Sequence, residues 1–227
     1  MAAEGLNVFR YPTVQAEIRF QHPCSILFTG SSQVGKSSTA YALLRRGIRA
    51  FTISFRKIYI VYGVYQSEFD QLKLDLPNLT LIPLENLNIR DLLKDVQDCF
   101  VLFDDSFLDL TQSSEFTELI TRGVHHYHFS LGLISQYIFG SGRFSRIISV
   151  NSTYLLLFDS CRDRLSVSIL ARQMFPGEQK YFLDSFAEAT KKQYSPLLVD
   201  CHPSTPAAIR LRSNILGDYH VAYCPIR

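Results

Sequence analysis

No apolar run in this 227-residue sequence reaches the length of a membrane span, and the opening MAAEGLNVFRYP lacks the hydrophobic core of a secretory signal. The expectation is a soluble intracellular protein that does not engage a membrane. An excess of charge is missing too: 23 Lys and Arg stand against 21 Asp and Glu, for a net charge of +2 and a pI near 8.2. Any nucleic-acid contact therefore has to come from basic residues focused on one surface. There is no C-x-x-C pair. The five cysteines, Cys24, Cys99, Cys161, Cys201 and Cys224, are odd in number and far apart, which argues against a disulfide framework and for a reducing environment. Internal repeats, low-complexity tracts and long linkers are also absent. The length suits one α/β domain with a substantial core, read here as residues 17–227 behind an N-terminal arm, 1–16. Tryptophan is absent as well, and that excludes nothing.

What is present is sharper. Gly30-Ser31-Ser32-Gln33-Val34-Gly35-Lys36-Ser37 fits the phosphate-loop pattern G-x-x-x-x-G-K-[ST], with Ser38 directly after it. The apolar run Ser25–Thr29 leads into it as a strand. Ser38–Arg46 leaves it as a helix, with Ala40, Leu43 and Leu44 at helical spacing. In such a loop the glycines let backbone N–H groups curl around phosphates. Lys36 reaches the β- and γ-phosphates, the Ser37 hydroxyl ligates Mg²⁺, and the helix N-terminus adds partial positive charge. ATP and Mg²⁺ are the cofactors this pattern implies.

Further strands are expected at Glu17–Phe20, Lys57–Tyr62, Leu79–Ile82, Cys99–Phe103, Phe129–Ile134, Tyr154–Phe158 and Pro196–Asp200. Helices are expected at Asn88–Val96, Glu115–Gly123, Arg164–Phe175 and Glu178–Ala189, before a proline-punctuated tail. Strands alternate with helices, and several strands are apolar without alternation. The pattern calls for an open, mostly parallel central sheet flanked by helices.

The run Cys99–Phe103 ends in Asp104-Asp105. Asp104 is placed to hold Mg²⁺ with Ser37, and Asp105 to orient or deprotonate an attacking water. The next apolar strand ends in Ser135-Gln136, where an amide at the strand tip can report the state of the γ-phosphate. The run His125-His126-Tyr127-His128 has no second ligand cluster in the sequence at zinc spacing, so it reads as a strand-entry segment with partly buried imidazoles.

The order of these elements resembles the FtsK/HerA superfamily of P-loop ATPases, in particular its viral DNA-packaging branch (poxvirus-type, Maverick/Polinton, adintovirus and virophage enzymes). The matching stretches are FQHP, GSSQVGKSS, RKIYIVYGVYQSEF, VLFDD, TRGVHHYHFSLGLISQYIF, RIISVNSTYLLLF, SCRDRLSVSILARQMFPG and LLVDCHPSTPAAIRLRSNI, spanning about Phe20 to Ile215. The loop alone is generic to P-loop proteins; the His-His to Ser-Gln segment and the Arg-Asp to Pro-Gly segment are the more specific ones. The resemblance implies an ASCE-type, RecA-like P-loop NTPase fold. It also implies a homo-oligomeric ring that drives double-stranded DNA without sequence preference into a preformed capsid, through capsid or portal-vertex proteins, at the site of virion assembly. By the same resemblance Lys36 and Ser37 hold nucleotide and Mg²⁺, Asp104 and Asp105 form the second motif, and Gln136 is the sensor. A ring ATPase completes its site with an arginine from the neighbouring subunit. Arg122 ranks first, with Arg162, Arg164, Arg143 and Arg146 as alternatives, and the histidine run is expected to fix the loop that positions Arg122. DNA contact is expected from Gly140–Arg146 or from Lys191-Lys192. The rival readings are another P-loop enzyme, such as a nucleotide kinase, and a nucleotide-gated scaffold that does not turn over.

Overall fold

The computed structural model describes residues 6–13, 15, 18–104, 112–139 and 145–226. Its centre is built from the apolar runs. β2 (Ser25–Thr29), β5 (Phe100–Asp104), β6 (Ser130–Ser135) and β7 (Tyr154–Leu157) are buried along their whole length, as strands covered on both faces must be. With β3 (Ile58–Tyr62) and β4 (Leu79–Pro83) they form a parallel block in the order β7-β2-β6-β5-β3-β4. The sheet continues beyond β7 through antiparallel strands β8 (Leu197–Asp200), β9 (Leu211–Ser213), β10 (Tyr219–Pro225) and β1 (Leu6–Pro12).

Successive side chains on a strand point to opposite faces, and two hydrophobic layers follow. On one face Ile26, Phe28, Ile60 and Leu102 pack with Tyr41, Leu43 and Leu44 of α1 (Lys36–Arg46) and with Phe69 and Leu72 of α2 (Glu68–Asp75). On the other, Leu27, Val101, Phe103, Leu131 and Leu133 meet Leu92 of α3 (Ile89–Leu93) and Phe116 of α4 (Ser114–Glu118). The same layer takes Leu119 from the π-helical turn Leu119–Gly123 and Val124 from α5 (Val124–His126). Ile148 of α6 (Ser145–Asn151), Leu170 of α7 (Arg164–Met174) and Phe182 of α8 (Gln179–Ala189) complete it. Asn88 caps α3 by accepting from the backbone N–H of Arg90 and Asp91. Among the described residues no helix is long and apolar enough to cross a membrane.

Several expectations change. Ile18–Phe20 is not a strand: Phe20 makes only an isolated bridge to Phe51, and its ring is held by Tyr154 and Phe51 at centroid distances of 4.8 and 5.4 Å. Ring packing rather than a ladder buries it. Within the segment read as an arm, Leu6–Pro12 pairs along its length with Tyr219–Pro225. The proline-punctuated tail supplies two strands, β9 and β10, because its prolines fall ahead of β9, at Pro203 and Pro206, or at the end of β10, at Pro225. α2 and α6 had no counterpart in the sequence reading.

The antiparallel half carries a buried ion pair. Arg212 Nη2 donates to Asp200 Oδ2 at 2.8 Å and Nη1 to the Ile209 carbonyl at 2.6 Å. Asp200 Oδ1 accepts from Thr205 Oγ1 and from the His202 N–H. His220 on β10 is buried nearby, and burial, reinforced by the Arg212 charge, pushes its pKa down to about 3. Unfolded, the same imidazole takes a proton near its ordinary value of 6.5. Between those values the unfolded chain binds the extra proton, so this contribution to stability is complete above pH 6.5 and shrinks as pH falls. Lowering pH from 7.5 to 5 is expected to cost about 2 kcal/mol through this residue. The measurement is the shift in urea midpoint with pH; His220→Gln should lose that part of the slope, and an unchanged slope would contradict the assignment.

Candidate phosphate-binding site

β2 delivers the chain to Gly30 at the carboxyl edge of the parallel block, and α1 begins at Lys36. The loop between them takes conformations that L side chains rarely adopt: Gly30 at φ 153°, Gln33 at 65° and Gly35 at 92°. A Cβ at Gly30 would lie 2.8 Å from Phe158 Cβ, and one at Gly35 would lie 3.1 Å from Tyr194 Cβ. Glycine is therefore required at both positions by backbone angle and by close approach. Gly35 is the N-cap of α1. No side chain caps that end, and its first turn holds no acid. The helix N-terminus thus keeps backbone N–H groups and partial positive charge for an anion.

Lys36 folds back over the loop and donates from Nζ to the carbonyls of Gly30 at 2.8 Å and Ser31 at 2.6 Å. Its ammonium is held above the cradle by the backbone it serves. Ser32, Gln33 and Val34 form the crest, and Ser38 follows Ser37 into the first turn of α1.

Asp104 ends β5 and is fully buried. It accepts from Ser37 Oγ at 3.2 Å through Oδ1 and from the Tyr41 hydroxyl through Oδ2. An octahedral Mg²⁺ with bonds of about 2.1 Å sets neighbouring ligand oxygens about 3 Å apart. The Ser37–Asp104 oxygen pair has that spacing, and a hydroxyl beside a carboxylate is the hard-oxygen donor set Mg²⁺ takes. The residues fit the ion. Tyr41 was not singled out from sequence, although it lies four residues after Ser37 on α1 and so on the same helix face.

β6 lies between β2 and β5. The Gly30 N–H donates to the carbonyl of Ser135 at 3.3 Å, and the next residue, Gln136, is exposed just beyond the strand. The turn is fixed by Ser135 Oγ, which donates to the Tyr137 carbonyl at 2.7 Å and accepts from the Tyr137 N–H at 3.1 Å. Lys36, Ser37, Asp104 and Gln136 are thereby collected from three adjacent strand ends.

Asp105, Arg143 and most of Gly140–Arg146 fall outside the described residues. Arg122 sits in the π-helical turn with its side chain 75% exposed and 3.8 Å from Glu118. Arg146, Arg162 and Arg164 are exposed. Lys191 and Lys192 lie beside the phosphate loop, where with Gln33, Phe158, Asp159 and Tyr194 they border a cavity of about 260 Å³. Tyr194, itself at φ 64°, lays its ring against Gly35; no local sequence signal marks that contact. The histidine run is not partly buried as expected: His125, His126 and His128 are exposed, because α5 presents that side to solvent and His128 follows it in a turn.

No protein-family model matches the sequence, and no curated protein matches it. Among solved structures, the genome-packaging NTPase B204 from Sulfolobus turreted icosahedral virus 2, in complex with ATP-gammaS, is similar with a TM-score of 0.53. It is 12% identical, over 90% of this chain and 98% of that one. The KaiC-like protein PH0186 from Pyrococcus horikoshii OT3 aligns over 96% of this chain and 100% of that one, at 9% identity and a TM-score of 0.48. The architecture is α/β and RecA-like, with a mostly parallel central sheet flanked by helices.

Tyr41→Phe removes one hydrogen bond from the buried carboxylate and keeps the ring. It is expected to weaken Mg²⁺-dependent binding of a nucleoside triphosphate analogue by about tenfold, the scale of one charge-assisted bond, with Mg²⁺-free binding unchanged. Calorimetry with and without Mg²⁺ checks this; equal loss in both conditions would place Tyr41 outside the metal's support.

Proposed function

We propose that this chain is an ATP-hydrolysing motor that works as a homo-oligomeric ring and translocates double-stranded DNA into a viral capsid. The observation that carries the reading is the placement of three groups on adjacent strand ends: the phosphate loop after β2, Asp104 at the end of β5, and Gln136 at the tip of β6 between them. A strand inserted between loop and acid leaves room for a water to reach the γ-phosphate beside a sensor. The packaging role is supported by the resemblance of the sequence segments quoted above to viral packaging ATPases, and the fold is in keeping with it.

In this mechanism the loop N–H groups and Lys36 bind and orient the β- and γ-phosphates. Ser37 and Asp104 would hold Mg²⁺, which would supply neutralisation of the phosphate charge. Asp105, next to Asp104 in sequence, orients the attacking water and accepts its proton. Gln136 contacts the γ-phosphate or that water, and its change of partner on hydrolysis passes to β6 and its neighbours. An arginine from the adjacent subunit stabilises the transition state. Arg122 remains the first candidate: it is exposed, and its pairing with Glu118 at 3.8 Å is a weak surface contact easily exchanged for a neighbour's phosphate. The DNA is gripped through its phosphates by basic loops facing the ring channel, with no base readout.

The test is steady-state ATP hydrolysis with and without double-stranded DNA. Turnover should rise with DNA, and Lys36→Ala and Asp105→Asn should each lower it by at least about 100-fold. Arg122→Ala should keep nucleotide affinity while losing turnover, and should poison wild-type subunits on mixing. Turnover indifferent to DNA would contradict the motor, and turnover surviving Asp105→Asn would contradict the assigned base.

A further inference from the structure

A second cluster of ligand atoms lies at the opposite, amino-terminal edge of the same strands. His22 precedes β2, Asp98 precedes β5 and His128 precedes β6. His128 Nδ1 is 3.0 Å from Asp98 Oδ1 and 3.3 Å from His22 Nε2, and His22 Nε2 is 3.4 Å from Asp98 Oδ1. The three atoms form a nearly equilateral triangle. A tetrahedral ion with metal–ligand bonds of about 2.0–2.1 Å holds its ligand atoms about 3.3–3.4 Å apart, so the triangle matches one face of such a coordination shell.

The surroundings hold that shape. The Asp98 N–H donates to the His128 carbonyl at 2.8 Å, and the Ser130 N–H to the Cys99 carbonyl at 2.9 Å. The Leu131 N–H donates to the Cys24 carbonyl at 2.8 Å, and the His22 N–H to Thr52 Oγ1 at 2.9 Å. Ligands on three chain segments are therefore fixed by backbone bonds between the segments. The His22 side chain is buried, 1% exposed, and its Nδ1 lies 2.8 Å from Ser130 Oγ. With Nδ1–H given to that hydroxyl, Nε2 faces the triangle as a lone pair, the outer-sphere arrangement that orients metal-binding histidines. One N–H of His128 is then the sole proton inside the triangle. It can serve one edge and leaves the His22 lone pair facing a carboxylate oxygen. A divalent cation relieves all three contacts together.

We infer that His22, Asp98 and His128 form a site for a divalent transition-metal ion of the zinc class, three protein ligands with a fourth position open to solvent. Asp98 and His128 are about half exposed, and a cavity of about 670 Å³ bordered by Arg56, Lys94, Asp95, His126 and His128 opens beside them. The ion ties the segment ahead of β2 to the starts of β5 and β6, at the far end of the strands that carry the phosphate site. It is chemically distinct from that site, where hydroxyl and carboxylate oxygens suit Mg²⁺.

The experiment uses the full, tag-free chain in a Cys161→Ser background, since Cys161 is an exposed thiol, with Mg²⁺ present throughout to occupy the oxygen site. Zn²⁺ is titrated by calorimetry, and Co²⁺ is followed by its visible absorption. One ion per chain is expected, with the intense bands of tetrahedral Co²⁺ and a rise in melting temperature that EDTA reverses. His128→Asn and Asp98→Asn place a residue that tolerates the positive φ of both positions, 53° and 55°. Each should weaken Zn²⁺ binding by at least about 10-fold, while His125→Asn and His126→Asn leave it unchanged. Absence of stoichiometric binding, or binding untouched by both ligand substitutions, would overturn the inference.

Discussion

The parallel pairing of β2 with β6 on one side and β7 on the other is the constraint on which everything else rests. A strand hydrogen-bonded along both edges and buried on both faces cannot shift register without moving its whole apolar set. Thr29 is therefore fixed opposite Ser135 and Leu157, and the loop that follows must start at Gly30. The Phe158 N–H bonds the Thr29 carbonyl at 2.9 Å and extends that clamp by one residue. The same order, with β6 beside β5, brings Asp104 to the serine that opens α1. Site geometry is here a consequence of strand order, and the side chains add chemistry to positions the sheet has already set.

The loop stores backbone conformations that cost free energy where other residues would sit, and the surrounding packing over-determines them. Phe158 and Tyr194 press on the two glycines from outside, while Lys36 and the uncapped end of α1 hold positive charge inside. Asp104 is buried yet accepts from two hydroxyls, so its carboxylate is oriented before any ion arrives. The buried ion pair of Asp200 and Arg212 does comparable work in the antiparallel half, locking β8 to β9 away from the site.

Much of this was legible in the sequence. The phosphate loop is read from local chemistry, because glycine, lysine and serine at fixed spacing have few other uses together. The central strands are legible because burial on both faces leaves continuous apolar runs, as in VLF ahead of Asp104. The tail was misread for the converse reason. Its strands are short and carry polar residues, prolines stand close before and at the end of them, and the pairing of β10 with Leu6–Pro12 joins segments far apart in the sequence. Tyr194 against Gly35, and His22 beside Asp98 and His128, are likewise tertiary meetings of distant segments, where nothing local marks either partner. The histidine run reads as lacking a zinc ligand set, and the neighbours of His128, which are His22 and Asp98, stand just ahead of two other strands rather than within the run.

The most direct test of the central account is a structure of the chain with Mg²⁺ and a non-hydrolysable ATP analogue. The β- and γ-phosphates are expected within the N–H cradle of Gly30–Ser37, with Lys36 swung from the Gly30 and Ser31 carbonyls onto them. The ion is expected between Ser37 and Asp104, and Gln136 facing the γ-phosphate. A nucleotide bound away from the loop, or an ion that touches neither Ser37 nor the shell of Asp104, would contradict it.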